Sequence, residues 1–356
     1  MTIQLGLDTF GDIALDAEGH PLPAAEVIRE VLAEGQLADR LGVDVFGVGE
    51  HHRPDYAISA PDTLLAGLAT TTERIRLGTS VTVLSSDDPV RVFERFSTVD
   101  ALSHGRAEIT VGRGSFIESF PLFGLDLDDY EVLFSDKLDL LAHVLREEPV
   151  RWEGSVRPPL AVDRIMPPTE SGRLPTWVGV GGTPASVVRA ARYGLPIVIA
   201  IIGGASAQFA PLADLYRRAC AESGHPGLPV GVHSPGHVAE TDEQAAQEYL
   251  PHFIDQMRKL GSERGWPPMT EAAARAQIAP EGAVYVGSPE TVARKIATTM
   301  RTLRASRFQL KYTNGTLPHE QRMSSIRLYG EQVIPRVREL LAEAPDGPVT
   351  DPADAP

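Results

Sequence analysis

Strand-like and helix-like segments take turns along this chain to about residue 340, and that alternation limits its possible folds more than any other feature. Residues 3–10 (IQLGLDTF) read as a strand. Residues 24–41 follow as a helix, with Val27, Ile28, Val31, Leu32, Ala38 and Leu41 at helical spacing. Gly42 closes that helix, and residues 43–50 form the next strand. PDTLLAGLATTT predicts a helix, residues 75–84 a strand, residues 89–102 an amphipathic helix ended by Gly105, and residues 106–112 the fourth strand. Further strands are expected at residues 176–180, 196–202, 230–238 and 307–312, with helices between them and a last helix over roughly 318–340. Eight strands each followed by a helix, most of them apolar enough to be buried on both faces, is the arithmetic of an α/β fold of (β/α)8 TIM-barrel type. A doubly wound open sheet is the alternative, but no glycine fingerprint follows the first strand.

Two stretches are too long for ordinary barrel loops: residues 146–175 after strand 4 and residues 257–285 after strand 7. Both insertions are expected to decorate the catalytic face. Residues 1–340 then form a single domain, and residues 341–356, rich in Pro and Asp, are expected to be a disordered tail.

The formal charge of -15 disfavours a nucleic-acid partner, although it leaves room for one local basic site. Cys220 is the only cysteine, which excludes an intrachain disulfide and a cysteine zinc cage. It lies beside a helical apolar face of Phe209, Leu212, Leu215, Tyr216 and Ala219, where a packing role is expected. The first residues carry no signal-peptide pattern and no apolar run reaches membrane length, so a cytoplasmic protein with no membrane partner is expected.

A barrel places its chemistry at the C-terminal ends of its strands, which makes a filter for polar residues. The filter selects Asp8, Thr9 and Phe10 after the first strand and Glu50, His51 and His52 after the second. It also selects Ser85 and Ser86, then Arg113 and Ser115, then residues 181–186 after the fifth. His104 and Arg106 precede the fourth strand and fail it, and His104 reads as a helix-end cap. In VGVGGTPASVV, Thr183 stands at an N-cap position, Pro184 suits the first turn, and Gly181 and Gly182 let a ligand approach the backbone near Ser186. Such a helix start can receive a phosphate, or can simply be well capped. Arg113, flanked by Gly112 and Gly114 on the neighbouring strand, is a companion cation that favours the anion. Consecutive residues leaving a strand point to opposite sides, so His51 and His52 cannot both face one ligand. With only His233 and His237 to complete a zinc set, no metal is expected, and one histidine serves as acid, base or hydrogen-bond donor.

The ordered series GEHH, LGTSVTVLSSDDPVRVFERFSTVDALSHGRAEITVGRG and GLPIVIA resembles the bacterial luciferase-like, flavin-dependent monooxygenase family, over about residues 3–340. The resemblance implies a barrel that binds FMN without a covalent link, its ring at the C-terminal mouth, in a homodimer. His51 matches the family's catalytic histidine, with Glu50 and His52 shaping it, and Arg113, Thr183 and Ser186 match phosphate-binding positions. Ser80–Val81 matches a non-prolyl cis bond beneath the flavin. Phe10, Tyr56 and Phe116 are candidate walls of a substrate pocket, or plain packing residues. The family's strand-end cysteine is Gly112 here and its glutamate near the phosphate is Gly182, which speaks against light emission and alters the phosphate contacts. The implied reaction is two-component monooxygenation: reduced FMN from a separate NAD(P)H:flavin reductase, O2 and a small organic substrate. Hydride transfer with F420, a non-catalytic flavin-binding role and a metal-dependent hydrolase are the alternatives.

Overall fold

The computed structural model describes residues 3–114 and 116–343. Its first half runs β1 (Gln4–Thr9), α1 (Ala24–Arg40), β2 (Val45–Val48), α2 (Pro61–Ala69), β3 (Arg76–Thr79), β4 (Thr82–Val83), α3 (Pro89–Leu102) and β5 (Ile109–Gly112). Next come α4 (Ser119–Leu122), α5 (Tyr130–Val144), β6 (Val150–Trp152), β7 (Leu160–Val162), β8 (Thr176–Val180), α6 (Pro184–Arg192), β9 (Ile197–Ala200), α7 (Ala210–Glu222) and β10 (Val230–Val238). The chain ends with α8 (Asp242–Arg264), α9 (Glu271–Ile278), β11 (Tyr285–Gly287), α10 (Pro289–Leu303), β12 (Arg307–Lys311), α11 (His319–Leu328) and α12 (Ile334–Ala342).

The strands follow the order β3-β2-β1-β12-β10-β9-β8-β5-β4, with every neighbouring pair parallel. The two ends of that path, β3 and β4, are halves of the third predicted strand, so the sheet closes as a (β/α)8 barrel. The break falls at Ser80–Val81, which is cis. The seam is completed below it, where the Leu77 N–H donates to the Arg106 carbonyl at 3.0 Å and the Glu108 N–H to the Leu77 carbonyl at 2.9 Å. Arg106 is a structural knot there, donating to the Ser103, Ile75, Ala69 and Thr72 carbonyls.

The last predicted helix is present as α11 and α12, which a π-helical turn at Tyr329–Val333 joins without a gap. Pro335 has no N–H for the Glu331 carbonyl, so the regular ladder cannot run through. The insertion at residues 146–175 forms the antiparallel β6–β7 hairpin along α5: the Trp152 indole donates to Asp139 at 2.7 Å and the Ser155 hydroxyl to Asp136 at 2.7 Å. The expected tail lies outside the described residues from 344 onward. Cys220 is buried in the core, and no helix among the described residues is long and apolar enough to cross a membrane.

The N-terminal end of the barrel interior is filled by charge. Arg307 donates to both Glu108 oxygens at 2.5 and 3.0 Å, and to Gln4 Oε1 at 2.7 and 3.0 Å. Arg76 donates to Glu108 at 3.0 Å, and the Trp177 ring lies 4.1 Å from the Arg307 guanidinium. Burial acts to raise the Glu108 pKa, but the charges and hydrogen bonds of Arg307 and Arg76 hold it below the ordinary 4.5. Glu108→Ala therefore leaves a buried guanidinium unpaired and should cost about 3–5 kcal/mol in urea unfolding, with Glu108→Gln costing less. Because the folded pKa is depressed, this stabilisation is full above 4.5 and is lost as the pH falls through the lower folded value.

Candidate active site

The C-terminal ends of the strands open into a cleft of about 810 Å3. Ser80 and Val81 line it between Gly112 and Gly179. A Cβ on Gly112 would stand 2.7 Å from the Val81 side chain and one on Gly179 2.9 Å, so neither position accepts a side chain and this side of the cleft stays flat. Gly49 is needed for the same reason: its Cβ would meet the Phe10 ring at 2.4 Å and the Ser80 carbonyl at 2.8 Å.

His51 enters the cleft from the end of β2 inside an aromatic cage. Its ring centroid lies 4.4 Å from Tyr56, 4.5 Å from Phe10 and 5.2 Å from Phe116. Burial in this cage pushes its pKa down to about 3, although the Asp12 charge pulls the other way, so the imidazole is neutral at ordinary pH. His52 does not line the cleft, but Glu50, which simple alternation would put on the same side as His52, does. His52 Nε2 bonds Glu50 Oε1 at 3.0 Å, and Glu50 Oε2 accepts the Val83 N–H at 2.9 Å, tying the loop to β4 just past the cis bond.

The fifth-strand end departs from expectation in detail. Gly181 and Ser186 line the cleft, whereas Gly182 and Thr183 are exposed and do not. Thr183 has the backbone of an N-cap, but its hydroxyl donates to Ser186 Oγ at 3.1 Å rather than accepting from the helix. Ser186 Oγ donates in turn to the Thr183 carbonyl at 2.7 Å. A Cβ on Gly181 would meet nothing within 4 Å. Arg113 lines the same end, but its guanidinium is paired with Glu131 and stacked 5.0 Å from the Tyr130 ring.

Several cleft residues escaped the sequence filter. Lys311, the last residue of β12, pairs with buried Asp12 at 3.1 Å, and His233 in β10 bonds Asp8 at 2.8 Å. Burial works against the Asp12 charge, yet Lys311, Thr313 and the Gly315 N–H hold its pKa below the usual value. Applying the filter to the eighth strand would have found Lys311; nothing local distinguished Asn314 or Gln256, which also line the cleft. Of the two insertions, only that after strand 7 reaches the site. Met257, Leu260, Trp266 and Met269 from it, with Phe253 just before it, form a largely apolar wall, while the β6–β7 hairpin contributes no side chain to it.

Thr9 is buried and bonds Thr313, Ser85 passes its carbonyl to Lys137, and neither serine 85 nor 86 lines the cleft. Ser115 lies outside the described residues. His104 ends α3 through its backbone, at φ 54° with its N–H donating to the Ala101 carbonyl at 3.3 Å, while its side chain turns out to solvent 3.7 Å from Glu170. His237 bonds Glu248, and no cluster of three or more His, Cys, Asp or Glu side chains able to hold a metal occurs among the described residues. Above the mouth, Arg53 pairs with Asp55 in its own loop, with Glu118 before α4 and with Glu263 on α8, and its guanidinium lies 4.6 Å from the Phe116 ring.

The family model described as luciferase-like monooxygenase matches residues 9–307. Protein y4wF of Sinorhizobium fredii is 32% identical over 54% of this chain and 55% of its own length, so that match spans about half of the relative. The alkanal monooxygenase alpha chain of the Kryptophanaron alfredi symbiont is 26% identical over 69% of this chain and 70% of its own. Among solved structures, the oxygenating constituent of 3,6-diketocamphane monooxygenase from Pseudomonas putida, in complex with FMN, superposes with a TM-score of 0.75. It is 17% identical, covering 95% of this chain and 99% of its own. The F420-dependent tetrahydromethanopterin reductase of Methanopyrus kandleri gives 0.71 at 16% identity, over 95% and 100%. These two structures share the barrel fold with the chain.

Because His51 is neutral when folded and takes up a proton when unfolded at acid pH, it makes stability fall as the pH drops below 6.5, down to about 3. His51→Gln should lower the proton uptake on unfolding near pH ~5 by about one, measured by calorimetry in buffers of different ionisation enthalpy.

Proposed function

Since the chain belongs to the luciferase-like monooxygenase family, a family of oxidoreductases, we propose that it is the oxygenating component of a two-component system that uses reduced FMN, O2 and a small, largely apolar organic substrate. The observation that carries this reading is the joining, in one cleft, of a flat strip at Ser80–Val81 with an anion-receiving end built from Arg113, Gly181 and Ser186. A planar ring system carrying a phosphate fits both parts.

The start of α6 and Arg113 would hold the phosphate, and the glycine-bordered strip would support the ring. Reduced flavin supplies the electrons that activate O2, chemistry that no side chain here can perform, and a separate NAD(P)H:flavin reductase would deliver it. The chain's own residues do the rest. Neutral His51 presents a ring N–H or an acceptor nitrogen from within its cage and holds a proton at a defined atom without bringing a charge into the cleft. Phe10, Tyr56 and Phe116 keep water from that atom, while the wall from α8 and the residues after it receives the substrate.

The test is a binding titration with oxidised FMN, reduced FMN and F420, followed by oxygen-uptake assays with a flavin reductase. FMN is expected to bind and support substrate oxygenation. Tight F420 binding with no affinity for either form of FMN overturns the reading. His51→Ala should lower product formation at least about tenfold and raise free peroxide while leaving FMN affinity within about twofold. An equal loss of both would show that the residue acts only on structure.

A further inference from the structure

Just outside the phosphate-receiving end of the cleft, against the lining residue Arg113, stands an anion that is one of the protein's own side chains. Glu131, in the first turn of α5, offers one oxygen to Arg113 and the other to Arg189, the latter at 2.9 Å. Arg113 comes from the end of β5 and Arg189 from α6, one turn beyond Ser186. Two guanidiniums from different elements therefore converge on a single carboxylate beside the start of α6. Each guanidinium is also braced by a ring: Tyr130 lies 5.0 Å from Arg113 and Phe134 lies 5.5 Å from Arg189. Arg189 Nη1 is buried and has no hydrogen-bond partner among the described residues, so this guanidinium retains a donor beyond the one it gives Glu131.

We propose that Glu131 is a displaceable counter-ion for the cofactor phosphate, and that Arg189 is the second guanidinium of the phosphate site. The idea rests on the reading of this cleft as a flavin site. The Glu131 side chain is 60% exposed, so its pairs are screened by water and easily exchanged. A phosphate monoester brings three oxygens and close to two charges, and it can engage both arginines at once. Glu131 meanwhile keeps the two arginines apart and aimed, so that they neither repel each other nor have to be reordered when the ligand arrives. The two arginines and Glu131 sum to one positive charge, one short of a phosphate dianion. Glu131 thus lowers the affinity for FMN and speeds its release, which suits a protein that must take up and give back its flavin in every cycle.

Dissociation constants for FMN and riboflavin should be measured by fluorescence on the wild-type protein, Glu131→Gln and Arg189→Gln, with FMN release followed by stopped flow. Glu131→Gln should bind FMN about fivefold to tenfold more tightly and release it more slowly, with riboflavin unchanged. The gain should be larger at pH ~8 than at pH ~5.5, because the second phosphate proton is lost near pH ~6. Arg189→Gln should weaken FMN by about tenfold and leave riboflavin alone. Thermal unfolding in inorganic phosphate provides a flavin-free arm, in which phosphate should raise the midpoint of Glu131→Gln more than that of the wild type. The proposal is overturned if Glu131→Gln, folded as judged by its melting in phosphate-free buffer, binds FMN and phosphate no better than wild type, or if FMN and riboflavin shift together. Failure of the wild type to bind FMN while phosphate still stabilises Glu131→Gln more strongly would refute the flavin reading and leave the counter-ion in place.

Discussion

Two ionised side chains taken out of water, Glu108 and Arg307, hold the closed end of the barrel. Stripping an ion of water costs several kcal/mol, so such a pair survives only where its other hydrogen-bonding atoms are satisfied. Here the satisfaction comes from all around the barrel: Gln4 on β1, Arg76 on β3, Trp177 on β8 and Arg307 on β12 meet at one level. That meeting locks register, because sliding β12 by one residue would turn Arg307 outward among the helices. Gln309 and Lys311 share its face of the strand. Arg307 plugs the floor, Gln309 reaches Ser80 at 3.5 Å, and Lys311 arrives at the cleft with its Asp12 partner. The site is built upward from the plug along a single strand.

Much of this was legible from residue order alone. Strand spans such as Thr176–Val180 and Ile197–Ala200 follow from continuous apolar runs, and the helix Pro89–Leu102 from its periodicity and its flanking turns. Alternation along GEHH anticipated that His51 and His52 would not both enter the cleft, but not that Glu50 would line it beside His51. What was missed depended on neighbours distant in the chain. Nothing near Asn314 or Gln256 announces a cleft, since it is α8 folding back over the mouth that makes them line it. The course of residues 146–175 was likewise decided by tertiary partners, Asp136 and Asp139 on α5, rather than by their own composition. Thr183 makes no side-chain cap, its hydroxyl being turned to donate to Ser186 Oγ instead of accepting from the helix.

The cleft joins two electrostatic regimes. At the α6 end, Arg113, Arg189 and Glu131 sit where water reaches them, and their pairings can be exchanged. At the opposite end, the Asp12–Lys311 ion pair and the Asp8–His233 hydrogen bond are buried and are not exchangeable at comparable cost. Between them lies His51, uncharged because its cage is apolar. Charge is thus kept at the edges, and the middle, where a planar ring would lie, has a low dielectric.

The apolar wall of the cleft comes from one uninterrupted piece of chain. Phe253, Met257, Leu260, Trp266 and Met269 fall within a span that contains neither the strip at Ser80–Val81 nor the arginines of the α6 end. It is tied to the rest of the mouth by Arg53 with Glu263, Lys259 with Asp55, and Gln256 donating to buried Asp12. The apolar wall is thus a single length of chain apart from the strands that fix register and floor, so its shape can change through substitutions in one contiguous segment.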